Sequence, residues 1–220
     1  MTNISSQGSR ACAKTDLVLH SPRMYDILVK IATRGRESAF RQKVIDLARL
    51  KPGESVLDVG CGTGTLAIAA KRRVSSDGKV YGIDASPEMI ARAAGKARKA
   101  GLEIDFRNES IAALPYSDWQ FDVVLSTVML HHLSRRVREA GIREIRRVLK
   151  PDGRVLIVEF DFSRTEHRRG LVAHLHRRHG HVSSDKVLAL LKDAGLNVVE
   201  NGDFDVGLRD LHFALAMPKH

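Results

Sequence analysis

Cysteine is scarce: the 220 residues contain only Cys12 and Cys61. At most one disulfide is available, and Cys61 sits inside a glycine-rich loop, so a disulfide-stapled secreted scaffold is excluded and a reducing, cytoplasmic setting is expected. Aromatic residues make up only 5%, with a single Trp, and no apolar run approaches the roughly 18 residues a membrane helix requires. The segment from Met1 to Arg10 is polar and has no apolar signal-peptide region, which argues against secretion. What is present suits an ordinary globular fold. Apolar residues are 43% and charged residues 28%, enough to bury a core and unlike a disordered or fibrous chain, and the length suits one domain.

Negative charge is in deficit: 36 Lys and Arg face 26 Asp and Glu, a net charge of +10. Such a balance invites an anionic partner, nucleic acid or membrane surface. The excess is nevertheless dispersed over the N-terminal segment, the helix ends near Arg72 and Lys99, and the arginines from Arg135 to Arg178. A generic basic surface is the simpler reading, with nucleic-acid binding and peripheral membrane contact as alternatives. The sequence leaves the oligomeric state open.

Four short runs rich in Val, Ile and Leu read as buried parallel strands: Ser55 to Val59, Lys79 to Ile83, Phe121 to Ser126 and Arg154 to Phe160. Helical patterns lie between them. Ser86 is placed to cap a helix that Pro87 opens and Gly101 ends, and Ser134 to Lys150 repeats apolar residues at helical spacing. Pro151, Asp152 and Gly153 then turn the chain into the next strand, and a weaker strand surrounds Ile104. This alternation predicts a doubly wound α/β fold, a parallel sheet with helices on both faces. Residues 1–50 carry amphipathic helical patterns, Met24 to Ile31 and Phe40 to Leu50, before any strand and are read as a helical cap on the domain formed by 51–220. Within the latter, 163–182 is rich in His and Arg and is read as a lid insertion, followed by a helix from Ser184 to Ala194. Final strands near Val198 and from His212 to Met217 form a hairpin, with Asn201-Gly202 among the turn candidates.

The strongest chemical signal is Val56-Leu57-Asp58-Val59-Gly60-Cys61-Gly62-Thr63-Gly64, between a strand and a helix. Only glycine freely permits so tight a turn together with close ligand approach, so a nucleotide-like ligand is implied. Thr65 stands where the dinucleotide pattern has its last Gly, and Asp58 precedes the loop, suited to a cationic ligand group. Asp84, at the end of the second strand, is positioned to accept the hydroxyls of a ribose.

Together with YGIDASPEMI, LPYSDWQFDVV, the HHL after the fourth strand and RVLKPDGRVLIVEF, this loop resembles the class I S-adenosylmethionine-dependent methyltransferases, within the group similar to the ubiquinone/menaquinone-biosynthesis C-methyltransferases. The resemblance runs from about Tyr25 to Phe160. It implies a Rossmann-like sheet of order 3-2-1-4-5-7-6 with the last strand antiparallel, and S-adenosyl-L-methionine as the methyl donor. It implies that Asp58 and the loop residues Gly60, Cys61, Gly62 and Gly64 surround the methionine part, with Asp84 on the ribose and Ala85 and Met89 beside the adenine. Where the family often has an Asp after the third strand, this chain reads Asn108-Glu109-Ser110-Ile111; Ser110 with Ile111 is the alignment adopted, and Glu109 the alternative.

His131 and His132 follow the fourth strand beside the expected methyl position, where one of them is a candidate base, with packing or helix capping as the alternative. Tyr25 and His181 are candidate substrate contacts, and Asp161 and His181 further candidate bases. His174, His176, His179 and His181 crowd together, but 174 and 176 share no helix face and no carboxylate or Cys completes a set, so no metal is assigned. Apolar and aromatic cap residues (Tyr25, Phe40, Leu171, Leu175) suit a small or lipid-like acceptor. The alternative is methylation of RNA or another nucleic acid, which lacks an Asn-Pro-Pro-Tyr-like motif after the fourth strand, where Ser126-Thr127-Val128-Met129 stands.

Overall fold

The computed structural model describes residues 37–160, 182–205 and 210–219. Its elements run α1 (Glu37–Leu47), β1 (Ser55–Val59), α2 (Thr65–Val74), β2 (Lys79–Asp84), α3 (Pro87–Lys99), β3 (Asp105–Asn108), β4 (Phe121–Thr127), a short 3-10 turn (Leu130–His132), α4 (Arg135–Val148), β5 (Leu149–Phe160), α5 (Ser184–Asp193), β6 (Leu196–Asp205) and β7 (Asp210–Pro218). The seven strands form one sheet in the order β3-β2-β1-β4-β5-β7-β6. The pairs β1–β2, β1–β4, β2–β3 and β4–β5 are parallel, while β7 is antiparallel to both β5 and β6. This is the expected order, and it leaves a topological switch between β1 and β4, where the chain runs to opposite sides and opens a crevice at the strands' carboxyl ends.

Both faces are covered, which is why the central strands are apolar throughout rather than alternating. Val44 and Ile45 of α1 and Leu66 and Ala70 of α2 pack with Val56, Leu125 and Val158 on one face, and α3 lies beside α2 against β2 and β3. Ile142 and Ile145 of α4 and Val187 and Leu191 of α5 pack with Leu57, Val124 and Ile157 on the other. The Ser86 hydroxyl caps α3 as expected, accepting from Met89 N–H at 3.2 Å, and the Ser134 hydroxyl does the same for α4, accepting from Val137 N–H at 3.4 Å.

Three boundaries differ from expectation. α1 covers Glu37–Leu47 rather than Phe40 to Leu50, because Arg49 takes a left-handed φ of 54° that breaks the helix. β5 starts at Leu149, since Leu149 already pairs with Phe121; the Pro151-Asp152-Gly153 stretch forms an irregularity before pairing resumes between Val123 and Arg154. Asn201-Gly202 is not a turn but lies within β6, opposite Ala214 and Phe213. A Cβ at Gly202 would lie 3.1 Å from the Phe213 ring, so the glycine makes room for an aromatic on the neighbouring strand. The helical pattern from Met24 to Ile31 and the segment 163–181 lie outside the described residues. Phe40 stacks on Phe204 with ring centroids 6.3 Å apart and is buried between α1 and β6, so it serves packing.

Candidate active site

The loop after β1 is built on three left-handed glycines, with φ of 70° at Gly60, 53° at Gly62 and 75° at Gly64. Neighbouring packing adds a second requirement at two of them. A Cβ would lie 2.9 Å from Met129 at Gly60 and 2.7 Å from the Ala93 Cβ at Gly64. Backbone bonds hold the loop in place: Cys61 N–H donates to Ile83 O at 2.9 Å and Gly64 N–H to Cys61 O at 2.9 Å. α2 begins directly after it, with no side chain capping its first turn.

Asp58 ends up 1% exposed beneath this loop, and its Oδ2 has no hydrogen-bond partner. Burial pushes its carboxyl up to about 7, with the Arg41 guanidinium and the Ala67 N–H opposing and the Asp84 charge reinforcing the rise. Asp84 is better served. Its Oδ2 accepts from Gly62 N–H and its Oδ1 from Ser86 N–H, both at 2.9 Å, and these bonds oppose a rise caused by burial. A carboxylate has about four acceptor sites, so Asp84 keeps capacity for further donors. Cys61 is a buried free thiol pushed well up by burial and by the charges of Asp58 and Asp84, which makes it a space-filling thiol rather than a nucleophile.

The carbonyl of Asp84 also draws in the chain after β3, accepting from Asn108 Nδ2 at 2.9 Å and Glu109 N–H at 3.2 Å. Ala85 and Ser110 are exposed there; Met89 is buried at the first turn of α3. The Ser110 hydroxyl accepts from Ala112 N–H at 3.2 Å. Ile111 is 4% exposed, its side chain set in the core against Gly141.

One cation at this site escaped the sequence reading. Arg41 on α1 acts electrostatically on Asp58; its terminal nitrogen binds Glu37 at 3.2 Å, and its Nε is buried without a partner. It lines a groove of about 570 Å³ that extends to Thr65, the first residue of α2. The only sequence signal was the i,i+4 spacing of Glu37 and Arg41, which reads as ordinary helix-surface pairing.

Residues 56–153 match the family described as "Methyltransferase domain". The chain is similar over that stretch to known methyltransferases. A demethylmenaquinone methyltransferase of Thermus thermophilus is 36% identical over 140 residues, 64% of this chain and 62% of that protein. The ubiquinone/menaquinone biosynthesis C-methyltransferase UbiE of an Enterobacter species is 26% identical across 96% of this chain and 95% of its own length. The crystal structure of a SAM-dependent methyltransferase from Aquifex aeolicus superposes with a TM-score of 0.71 at 26% identity, covering 90% of this chain and 98% of that one. The chain spans about three fifths of the length of the first of these curated relatives.

In this chain the two histidines sit on the 3-10 turn that follows β4 at the switch point. His131 is mostly buried and His132 exposed, with ring centroids 3.9 Å apart. His131 Nδ1 lies 2.8 Å from Oε2 of Glu159, a residue of β5 that the sequence reading did not single out. Its only signal in the sequence was a lone carboxylate in the apolar run Val155 to Phe160, which leaves the strand pattern undisturbed. Tyr25, Asp161 and His181 lie outside the described residues, as do His174, His176 and His179. Among the described residues no group of three or more His, Cys, Asp or Glu is arranged to hold a metal ion.

Proposed function

We propose that this protein is a methyltransferase that binds S-adenosyl-L-methionine across the carboxyl ends of β1 and β2 and methylates a small, lipid-like acceptor of the quinol class. The observation that carries the cofactor half is the buried, unpartnered Oδ2 of Asp58. A carboxyl group desolvated to this degree needs a donor or a cation, and the α-ammonium of the methionine moiety is one. The remaining groups fit the same ligand. Arg41 and the uncapped first turn of α2 offer positive charge to the methionine carboxylate, and the spare acceptor sites of Asp84 suit ribose hydroxyls. Ala85 and Met89 at the start of α3, with Ser110 and the backbone at Ile111 across from them, border the place left for the adenine.

The cofactor supplies a methyl group already activated on a sulfonium, so the protein's work is alignment, exclusion of water and, for a protonated acceptor, removal of a proton. The glycine loop fixes the donor end. The turn bearing His131 and His132 stands at the switch point, where it would face the acceptor. The quinol class follows from the relatives' names, which specify ubiquinone, menaquinone and demethylmenaquinone. No described residue favours a nucleic-acid acceptor.

Methyl-labelled S-adenosylmethionine, offered with chemically reduced demethylmenaquinone and, separately, with total RNA, tests this reading. Label should enter the quinone fraction. Label in RNA, or none in any lipid-soluble product, would overturn the acceptor class.

A further inference from the structure

Glu159 is 3% exposed near the carboxyl end of β5, on the sheet face covered by α4 and α5. A carboxylate so buried is tolerated only where several donors meet it. Its hydrogen-bond partners come from one turn: Oε1 accepts from Met129 N–H at 2.9 Å and from Leu130 N–H at 2.6 Å, and Oε2 meets His131 Nδ1 at 2.8 Å. The residue leading into that turn, Val128, has a φ of 54°, a region β-branched residues rarely enter, while its N–H continues the sheet to Val158 O at 2.7 Å. Strained backbone of this kind persists when its surroundings over-determine it and is concentrated at functional sites. Here the surroundings are Glu159 below and the glycine loop beside it, since Met129 fills the space a Cβ at Gly60 would need.

From this geometry we infer that Glu159 is a positioning residue for His131, keeping the proton on Nδ1 so that Nε2 is the base that receives the proton leaving the acceptor. The inference rests on the methyl-transfer reading above. Both backbone groups can only donate, so Oε1 is committed as an acceptor; an ionised Glu159 accepts at Oε2 as well, and the imidazole must donate there. The acceptor's proton passes to Nε2, and the electron pair it leaves on the acceptor forms the new bond to the methyl carbon as the electrons of the methyl–sulfur bond stay on sulfur. The resulting imidazolium, paired with the Glu159 charge, returns the proton to water.

Other charged and titratable groups face the pair. Arg138 on α4 acts electrostatically on Glu159; burial holds its guanidinium below the usual arginine range, and the Glu159 charge opposes this. His132 lies tilted against His131 on the same turn, and the Phe160 ring is 5.8 Å from that of His131 between centroids. From β7, His212 pairs in register with Glu159; its Nδ1 is 2.9 Å from Asp203 on β6, and its Nε2 is buried without a partner.

Glu159→Gln separates orientation from mere structure. Once the Gln carbonyl oxygen accepts from Met129 and Leu130, its amide NH₂ faces Nδ1, and the favoured tautomer reverses to one with the proton on Nε2. Long-range proton–nitrogen NMR of histidine-labelled, cofactor-free protein at about pH 8, where imidazole is neutral, reads this directly. Wild type should show His131 protonated at Nδ1, and the variant at Nε2. With reduced demethylmenaquinone, Glu159→Gln and His131→Gln should each lower kcat about a hundredfold or more while leaving S-adenosylhomocysteine affinity unchanged. If Glu159→Gln does not fold, the wild-type tautomer and the His131→Gln kinetics still decide. An Nε2-protonated His131 in wild type, or a kcat for His131→Gln close to wild type, would overturn the inference. Failure of wild type to bind S-adenosylhomocysteine would instead overturn the methyl-transfer reading, and the tautomer would still judge the pair.

Discussion

A carboxyl group buried with one oxygen unpartnered resists ionisation, and burial pushes Asp58 up to about 7. A carboxyl raised by folding binds its proton more tightly in the native state than in the unfolded chain. Stability therefore falls as pH climbs from the ordinary carboxylate range through 7 and levels off above it. Asp58→Asn, which keeps the shape without the charge, should melt at a higher temperature than wild type at about pH 8, with the gain shrinking steadily towards about pH 5. Thermal unfolding across that range checks this, and a gain independent of pH would mean that burial is not what raises the group. Asp58 and Asp84 were legible in the sequence because each ends a strand at a fixed distance from three glycines. Arg41 and Glu159 were not: an arginine on an amphipathic helix looks like solvent-facing charge, and one glutamate does not disturb the strand pattern of RVLIVEF. Only the folded chain shows that Glu159 is buried, that Arg41 is partly so, and that both face the site.

For whole elements, continuous apolar runs marked β1, β2, β4 and β5 because both sheet faces are covered; a hydroxyl cap marked α3 because a helix start leaves N–H groups in need of an acceptor, and apolar residues at helical spacing marked α4. Hairpin geometry was harder to read. Asn-Gly is a strong local turn signal, yet in β6 cross-strand packing of Phe213 over Gly202 outweighs it. Glycines inside and beside α3 should respond in opposite senses to alanine. Gly95 lies within α3 with nothing within 4 Å of an added Cβ, so Gly95→Ala should stabilise by roughly 0.5–1 kcal/mol. Gly64→Ala forces a left-handed residue against Ala93 and Phe106 and should destabilise by about 2 kcal/mol or more. Denaturant unfolding of the two variants measures both, and a neutral Gly64→Ala would show that the loop gives way more easily than its packing indicates.

Across the molecule, the order β3-β2-β1-β4-β5-β7-β6 brings the glycine loop, the carboxylate of β2 and the histidine turn of β4 to one edge of the sheet. Residues far apart in sequence, Arg41 on α1 and Glu159 on β5, complete that edge from opposite faces. The charge excess of +10 plays no visible part there; the charges that matter locally are Asp58, Asp84, Glu159, Arg41 and Arg138. A cofactor held at this edge with its ammonium on Asp58 must displace a proton from that carboxyl where the free protein carries one. At about pH 6 the free protein carries that proton on Asp58, and a bound ammonium favours its loss; at about pH 8.5 it is already gone. Calorimetric titration of the metal-free protein with S-adenosylhomocysteine, repeated in buffers of different ionisation enthalpy, measures affinity and proton release together. Saturable micromolar binding that releases close to one proton at the lower pH and almost none at the higher is the predicted result; folded protein that gives no binding, or binding with no proton released at either pH, would contradict it.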